Sequence, residues 1–179
     1  MHSKLIIIGA SGHGKVVADA AEKTGNYHQI MFLDDADLKD CDGFPVIGRV
    51  TDAVKYLNCA DFLVAIGNAY VRQKIQEHLV SQQTVVATVI HPSVIIGKNV
   101  TIGQGSVLLA GVILNSGCSI GQGCILNTGA TVDHDCVISD YVHISVGAHL
   151  AGTVQVGEKT WIGIGAVVSN NLEITSDCM

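Results

Sequence analysis

From Pro92 to Thr175 the chain repeats with a period of six. Cut from Pro92 it reads PSVIIG, KNVTIG, QGSVLL, AGVILN, SGCSIG, QGCILN, TGATVD, HDCVIS, DYVHIS, VGAHLA, GTVQVG, EKTWIG, IGAVVS and NNLEIT, without insertion. The fifth place is aliphatic throughout, from Ile96 and Ile102 to Val168 and Ile174. The third is mostly small or β-branched, as at Val94, Ala130 and Thr160, with Leu172 the exception. Places three and five alternate, so they share one face of a short strand. The other places turn the chain, where Gly and Asn supply permissive backbone. A short strand and a bend, repeated, predict a parallel β-helix filled by a stack of aliphatic side chains. Three sixes close one triangular coil, so residues three sixes apart are expected to stack at the strand spacing of about 4.8 Å. A β-sandwich, with irregular loops, would not hold this period.

The pattern before Pro92 is different. KLIIIG is a continuous apolar run ending in Gly9, which reads as a buried parallel strand. VVADAAEKTG has helical spacing and stops at Gly25. IMFLDD predicts a second strand, VTDAVKYLN a helix-like segment, and DFLVAIGN a further strand. Asn68 can cap the helix AYVRQKIQEHLVSQ. TVVATVI then leads to His91 and Pro92. Strands alternating with helices imply a small parallel α/β domain, with the boundary placed at residues 1–88 and 89–179.

Composition fits this division. Of 179 residues only 15% are charged and 4% aromatic, while 20 are Gly, the mix of a tight coil without room for rings. The net charge of −6 argues against a nucleic-acid partner. No apolar run approaches the ~18 residues of a membrane span. The apolar part of MHSKLIIIGASGHGK is too short for a signal peptide, so a cytoplasmic protein is expected. Four of the six cysteines, Cys118, Cys124, Cys136 and Cys178, fall at place three, where they are expected as small core residues and free thiols. No C-x-x-C pair exists, so no zinc knuckle is expected.

Candidate chemistry falls in both parts. Gly9-Ala10-Ser11-Gly12-His13-Gly14 joins a strand to a helix start, where free N–H groups attract anions; the alternative is a plain tight turn. Asp34 and Asp35 close the next strand about twenty residues on, where an acid often meets a ribose or base, or else marks a solvated turn. Gly67-Asn68 close a third strand on the same edge, so glycine, acid and amide together suggest a nucleotide pocket. In the sixes, His134 and Asp135 occupy places one and two, at a corner rather than in the core. A neutral histidine there can act as general base, with the carboxylate orienting it. Gly152, three sixes later, is expected beside His134 with an uncovered N–H able to steady an oxyanion. Spacing alone reads more readily as a surface histidine. His143 and His149 sit at place four, outward, and are expected to approach His134 only across a subunit boundary; a zinc site between subunits is the minor alternative.

Together these segments resemble the NeuD/PglD-type family of sugar O-acyltransferases and UDP-4-amino-sugar N-acetyltransferases, with hexapeptide repeats. The resemblance runs from IIIGASGHGKVV through FLDD, VAIGN, VIHPS, ILNTGATVDHDCVI and HISVGAHLAGTVQVG to WIGIGAVV, nearly the whole chain. It implies an α/β N-terminal Rossmann-like domain followed by a left-handed parallel β-helix, assembled as a homotrimer. It also implies transfer of acetyl from acetyl-CoA to the 4-amino group of a nucleotide-linked, expected UDP-linked, amino-deoxy sugar in bacterial glycan biosynthesis.

By the same resemblance His134 is the catalytic base and Asp135 the acid that raises its basicity. Ser11, Gly12 and His13, with Asp34, Asp35 and Gly67, hold the nucleotide sugar. His143, Gly152 and Ile164 meet the acetyl-CoA arm, and no metal is required. Family members continue for about another coil and a tail that helps hold CoA, so the chain as given is expected to leave a sheet edge open and that site incomplete. The competing readings are a sialic acid O-acetyltransferase, a GDP-amino-sugar N-acetyltransferase, a zinc-dependent β-helix hydratase and a non-catalytic scaffold.

Overall fold

The computed structural model describes residues 2–179. The chain divides into two compact units, Met1–Val89 and Ile90–Met179.

The first unit is α/β. Its strands β1 (Lys4–Ile8), β2 (Gln29–Leu33) and a later strand at Asp61–Val64 form a parallel sheet with β1 in the middle. Helix α1 (Gly12–Thr24) follows β1 and buries Val17, Ala18, Ala20 and Ala21. Gly14 lets that helix start close under the strand end, because a Cβ there would collide with the Gly9 carbonyl oxygen. Gly25, at φ 68°, ends the helix with its N–H on Glu22 O. A small hairpin of β3 (Asp40–Cys41) and β4 (Phe44–Pro45) follows β2. Then comes β5 (Asp61–Val64), and α2 (Ala69–Ser81), capped by Asn68 Oδ1 on the Val71 N–H at 3.1 Å. Ile6, Ile8, Leu33, Phe62, Val64 and Leu79 fill the core between sheet and helix.

One predicted element is shorter than its pattern. VTDAVKYLN forms only a 3-10 turn over Val50–Lys55. Three of its first five residues, Val50, Thr51 and Val54, are β-branched, which weakens helix propagation. The start is fixed instead by Asp52, whose carboxylate accepts the Arg49 N–H at 2.9 Å.

The second unit is a parallel β-solenoid. Two-residue strands recur every six residues from Val89–Ile90 to Glu173–Ile174 and stack in three five-stranded ladders. The register pairs residues one coil apart, as in Ile113 with Thr131 and Ile125 with His143. Place five and place three point inward: Leu108, Cys124, Leu126, Ala130, Cys136, Val142, Ile144 and Val154 form one continuous core. Exposure returns at the ends, where Ile96 is 42% exposed. Cys178, expected in the core, is only half-buried for the same reason, because no further coil covers it among the described residues.

Place two is left-handed at every corner from Asn99 (φ 57°) to Asp177 (φ 59°), including Asp135, Tyr141 and Thr153. Its N–H bonds back to the place-one carbonyl of the preceding coil, as in Asp135 N–H to Ser116 O at 3.0 Å. Places four and six carry the rest of the ladder. The place-one N–H is left outside it. Side chains therefore cap it where they can: Asn127 Oδ1 caps Thr128 at 2.9 Å and Asp133 Oδ1 caps His134 at 2.8 Å.

Candidate active site

In the α/β unit the three parallel strands end together, since Ile8 pairs with Leu33 and with Val64. Ser11, Gly12 and His13, with Asp34 and Asp35, and Gly67 therefore share one edge of the sheet. Ser11 and Gly12 are exposed and His13 is half-buried. Asp34 does structural work there: its Oδ2 accepts the Ala10 N–H at 2.7 Å and its Oδ1 the Ala36 N–H at 2.8 Å. It thus ties the glycine loop to the end of β2. Asp35 Oδ1 accepts the Val50 N–H at 3.0 Å. A pocket lined by Asp34, Asp35, Asp37, Gly48 and Arg49 opens beside them.

Sequence reasoning missed Arg72. It is 1% exposed, and its Nη1 donates to Ile66 O and Gly67 O, each at 2.8 Å. The guanidinium shapes the turn after β5 from behind. Burial first, and then the Arg72 charge, push the His13 pKa down to about 4, so this imidazole is neutral at pH 7. A buried arginine four residues into a helix carries no sequence signature that separates it from a surface one.

In the solenoid, His134 sits at an exposed corner. Its Nδ1 lies 2.9 Å from Asp135 Oδ2. Asp135 makes this contact from the left-handed corner, at φ 59°. With Nδ1–H donated to the carboxylate, the Nε2 lone pair is open. The Asp135 hydrogen bond, reinforced by the Asp133 and Asp135 charges, raises the His134 pKa above its ordinary value. The ring lies against Gly152 one coil on: a Cβ built there would be 2.5 Å from Nε2. Ala151, before Gly152, has no side-chain oxygen, so the Gly152 N–H lacks the cap that Asp133 gives His134. The open Nε2 thus lies against the glycine whose N–H is uncapped, an arrangement able to supply a base and an oxyanion donor.

Asp133 and Asn115 were also missed. Asn115 Nδ2 donates to Asp133 Oδ1 at 2.7 Å, which with the His134 N–H keeps this carboxyl below the ordinary range. An amide and an acid at place six of successive coils were a legible pair in the repeat.

His143 faces outward as expected but is not exposed. Trp161, one coil on, stacks over it with centroids 4.7 Å apart, and Asn127 Nδ2 lies 3.2 Å from its Nε2. His149 is exposed, with Nδ1 2.8 Å from Thr131 Oγ1. Ile164, at another corner, is 81% exposed. Burial holds the Cys118 and Cys136 thiols above their ordinary pKa, which suits packing rather than nucleophilic attack. Among the described residues no three His, Cys, Asp or Glu side chains stand close enough to hold a metal ion, and no helix is long and apolar enough to cross a membrane.

Three parallel ladders wound from sixes, with a carboxylate-paired histidine at a corner, define the hexapeptide-repeat acyltransferase fold. The PglD N-terminal domain family matches residues 4–79. The acetyltransferase domain of PglB from Neisseria gonorrhoeae FA1090 is 41% identical with a TM-score of 0.95, covering 98% of this chain and 86% of that one. A second structure of that domain is in complex with acetyl coenzyme A. A histidine-to-asparagine variant of perosamine N-acetyltransferase from Caulobacter crescentus, in complex with CoA and GDP-perosamine, is 32% identical with a TM-score of 0.92, covering 97% and 83%. UDP-N-acetylbacillosamine N-acetyltransferase of Bacillus subtilis (strain 168) is 38% identical over 113 residues, 58% of this chain. That match spans 50% of the length of the curated relative. The chain belongs to the PglD/NeuD-type sugar N-acetyltransferase family, which uses acetyl-CoA as co-substrate.

Proposed function

We propose that the protein transfers acetyl from acetyl-CoA to the 4-amino group of a UDP-linked amino-deoxy sugar, with His134 as general base. The observation that carries this reading is the corner where the open His134 Nε2 lies against Gly152 and its uncapped N–H. In this reading the acceptor amine is neutral when it attacks, its ammonium proton having passed to water after the sugar is bound. Nitrogen attacks the thioester carbonyl, and His134 Nε2 takes one proton from it as the N–C bond forms. The Gly152 N–H supports the oxyanion. The C–S bond then breaks, and the CoA thiolate leaves with the electron pair and takes the proton from His134. Asp135 steadies the imidazolium between these two transfers.

Ser11, Gly12, His13, Asp34, Asp35 and Gly67 are proposed to hold the nucleotide sugar. His143 and Ile164, with Gly152, are proposed to hold the acetyl-CoA arm. The proposed working form is a cytoplasmic homotrimer, since triangular prisms pack side by side in closed symmetry. A GDP-linked acceptor is the second reading, favoured by the likeness to a perosamine N-acetyltransferase that holds GDP-perosamine.

The test is CoA release from acetyl-CoA in the presence of UDP- and GDP-linked 4-amino sugars and of sialic acid, with mass spectrometry of the product. A single N-acetyl group on a nucleotide-linked amino sugar is expected, with turnover about 10² to 10⁴ lower in His134→Ala. Acetyl on a sialic acid hydroxyl alone, or unchanged turnover in His134→Ala, would overturn the reading.

A further inference from the structure

Beside the His134 corner the solenoid carries a groove of about 350 Å³ on the outer face of one ladder. Ile113 and Val167 form its apolar ends, and Asn115, Thr131, Asp133 and His149 its polar middle. These residues belong to places four and six of successive coils, so they line up along the solenoid. The volume falls within the range of small-ligand sites.

Asp133 is the one carboxylate of this groove. Its Oδ1 is occupied twice, by Asn115 Nδ2 at 2.7 Å and by the His134 N–H at 2.8 Å. Both bonds fix the carboxyl plane, and both go to the same oxygen. At Thr128 a neutral amide, Asn127, performs the same cap at 2.9 Å. The cap therefore does not require a charge. A carboxylate at residue 133 places an anion one residue from the base, with Asp135 already committed to the His134 ring at 2.9 Å.

We infer that Asp133 recognises the ammonium form of the acceptor, holding the amino group of the sugar in this groove beside His134 and selecting amines over hydroxyls. The inference rests on the proposed acetyl transfer to an amino sugar. An amine arrives at pH 7 mostly protonated, and a fixed carboxylate gains a charge-assisted hydrogen bond from it that a hydroxyl cannot match. Asn115 is then a positioning residue, keeping Asp133 from swinging toward the His134 ring. The other ionisable groups facing Asp133 are His134, Asp135 and His149, with Cys118 and Cys136 behind it in the core.

The test compares binding of a UDP-linked 4-amino sugar and its 4-hydroxy counterpart by calorimetry at pH 7, in the full chain and in Asp133→Asn. Asparagine retains an acceptor for both Asn115 and the His134 N–H, so only the charge is lost. The wild type is expected to favour the amine, and the variant to lose about tenfold of that preference, with acetyl-CoA affinity unchanged. In the wild type, raising ionic strength should weaken the amine and spare the hydroxyl. A preference unchanged in Asp133→Asn, or equal salt sensitivity of both sugars, overturns the inference while leaving acetyl transfer standing. Loss of affinity for both sugars and acetyl-CoA together also overturns it, by reducing Asp133 to a cap. Failure of the wild type to acetylate any amino sugar removes the proposed function and this inference with it.

Discussion

The His134 imidazole packs directly on the Cα of Gly152, one coil away. A Cβ at residue 152 would lie 2.5 Å from Nε2 and 2.6 Å from Cε1. The His134 side chain is exposed at its corner, so the ring gives way more readily than the corner backbone. Gly152→Ala should therefore push the base out of line while leaving the coil intact. We expect turnover to fall by about 10², with a melting temperature near that of the wild type. Activity close to wild type in a folded Gly152→Ala would show that the ring leaves this position during catalysis.

The Asp135 carboxylate is the first cause of the raised His134 pKa. A base with a raised pKa stays protonated, and so inactive, to a higher pH. Asp135→Asn keeps an oxygen near Nδ1 but removes the charge. The acid limb of the kcat/KM profile should therefore move to lower pH, while the plateau falls because the base is weaker. A pH–rate series on both proteins checks this. A limb that stays put would assign the titration to another group.

Much of this was legible in the sequence, because the period of six fixes both register and side. Leu126 and Ile144 at place five could only point inward, and His134 at place one could only sit at a corner. The strand-end cluster was equally open to reading, since parallel strands of similar length finish together. Contacts that depend on backbone conformation were not. The pairing of Asp135 with His134 was readable from their adjacency, but not the left-handed φ of 59° at which it is made. His143 is covered by Trp161 from the next coil, and an alternation rule gives the direction of a side chain without its neighbours. Arg72 lies on a helix whose apolar face is weakly marked, so its burial could not be foreseen.

His13 gives the α/β unit a proton-linked stability. Its folded pKa is about 4, against an ordinary 6.5. The unfolded chain therefore binds the proton first, and the contribution is complete above pH 6.5. It is lost as pH falls from there toward 4. Over that window the unit should lose about 1–3 kcal/mol from this group. Urea melts followed between those pH values check it, with His13→Gln removing the slope. A slope that survives the substitution would place the linkage elsewhere.

The left-handed corners make a distinct prediction for stability. Gly129 sits at place two with φ 70°, and a Cβ there would meet nothing within 4 Å. Any cost of substitution is then conformational rather than steric crowding by neighbours. Gly129→Ala should destabilise the solenoid by about 1–2 kcal/mol. Gly129→Asn should cost less, since asparagine tolerates this region and occupies the equivalent corner at Asn99 (φ 57°) and Asn171 (φ 59°). Thermal melts of the two variants side by side measure the difference. Equal stability of the alanine and asparagine forms would mean that the ladder, through the Gly129 N–H on Ala110 O at 2.9 Å, dictates the corner whatever its side chain.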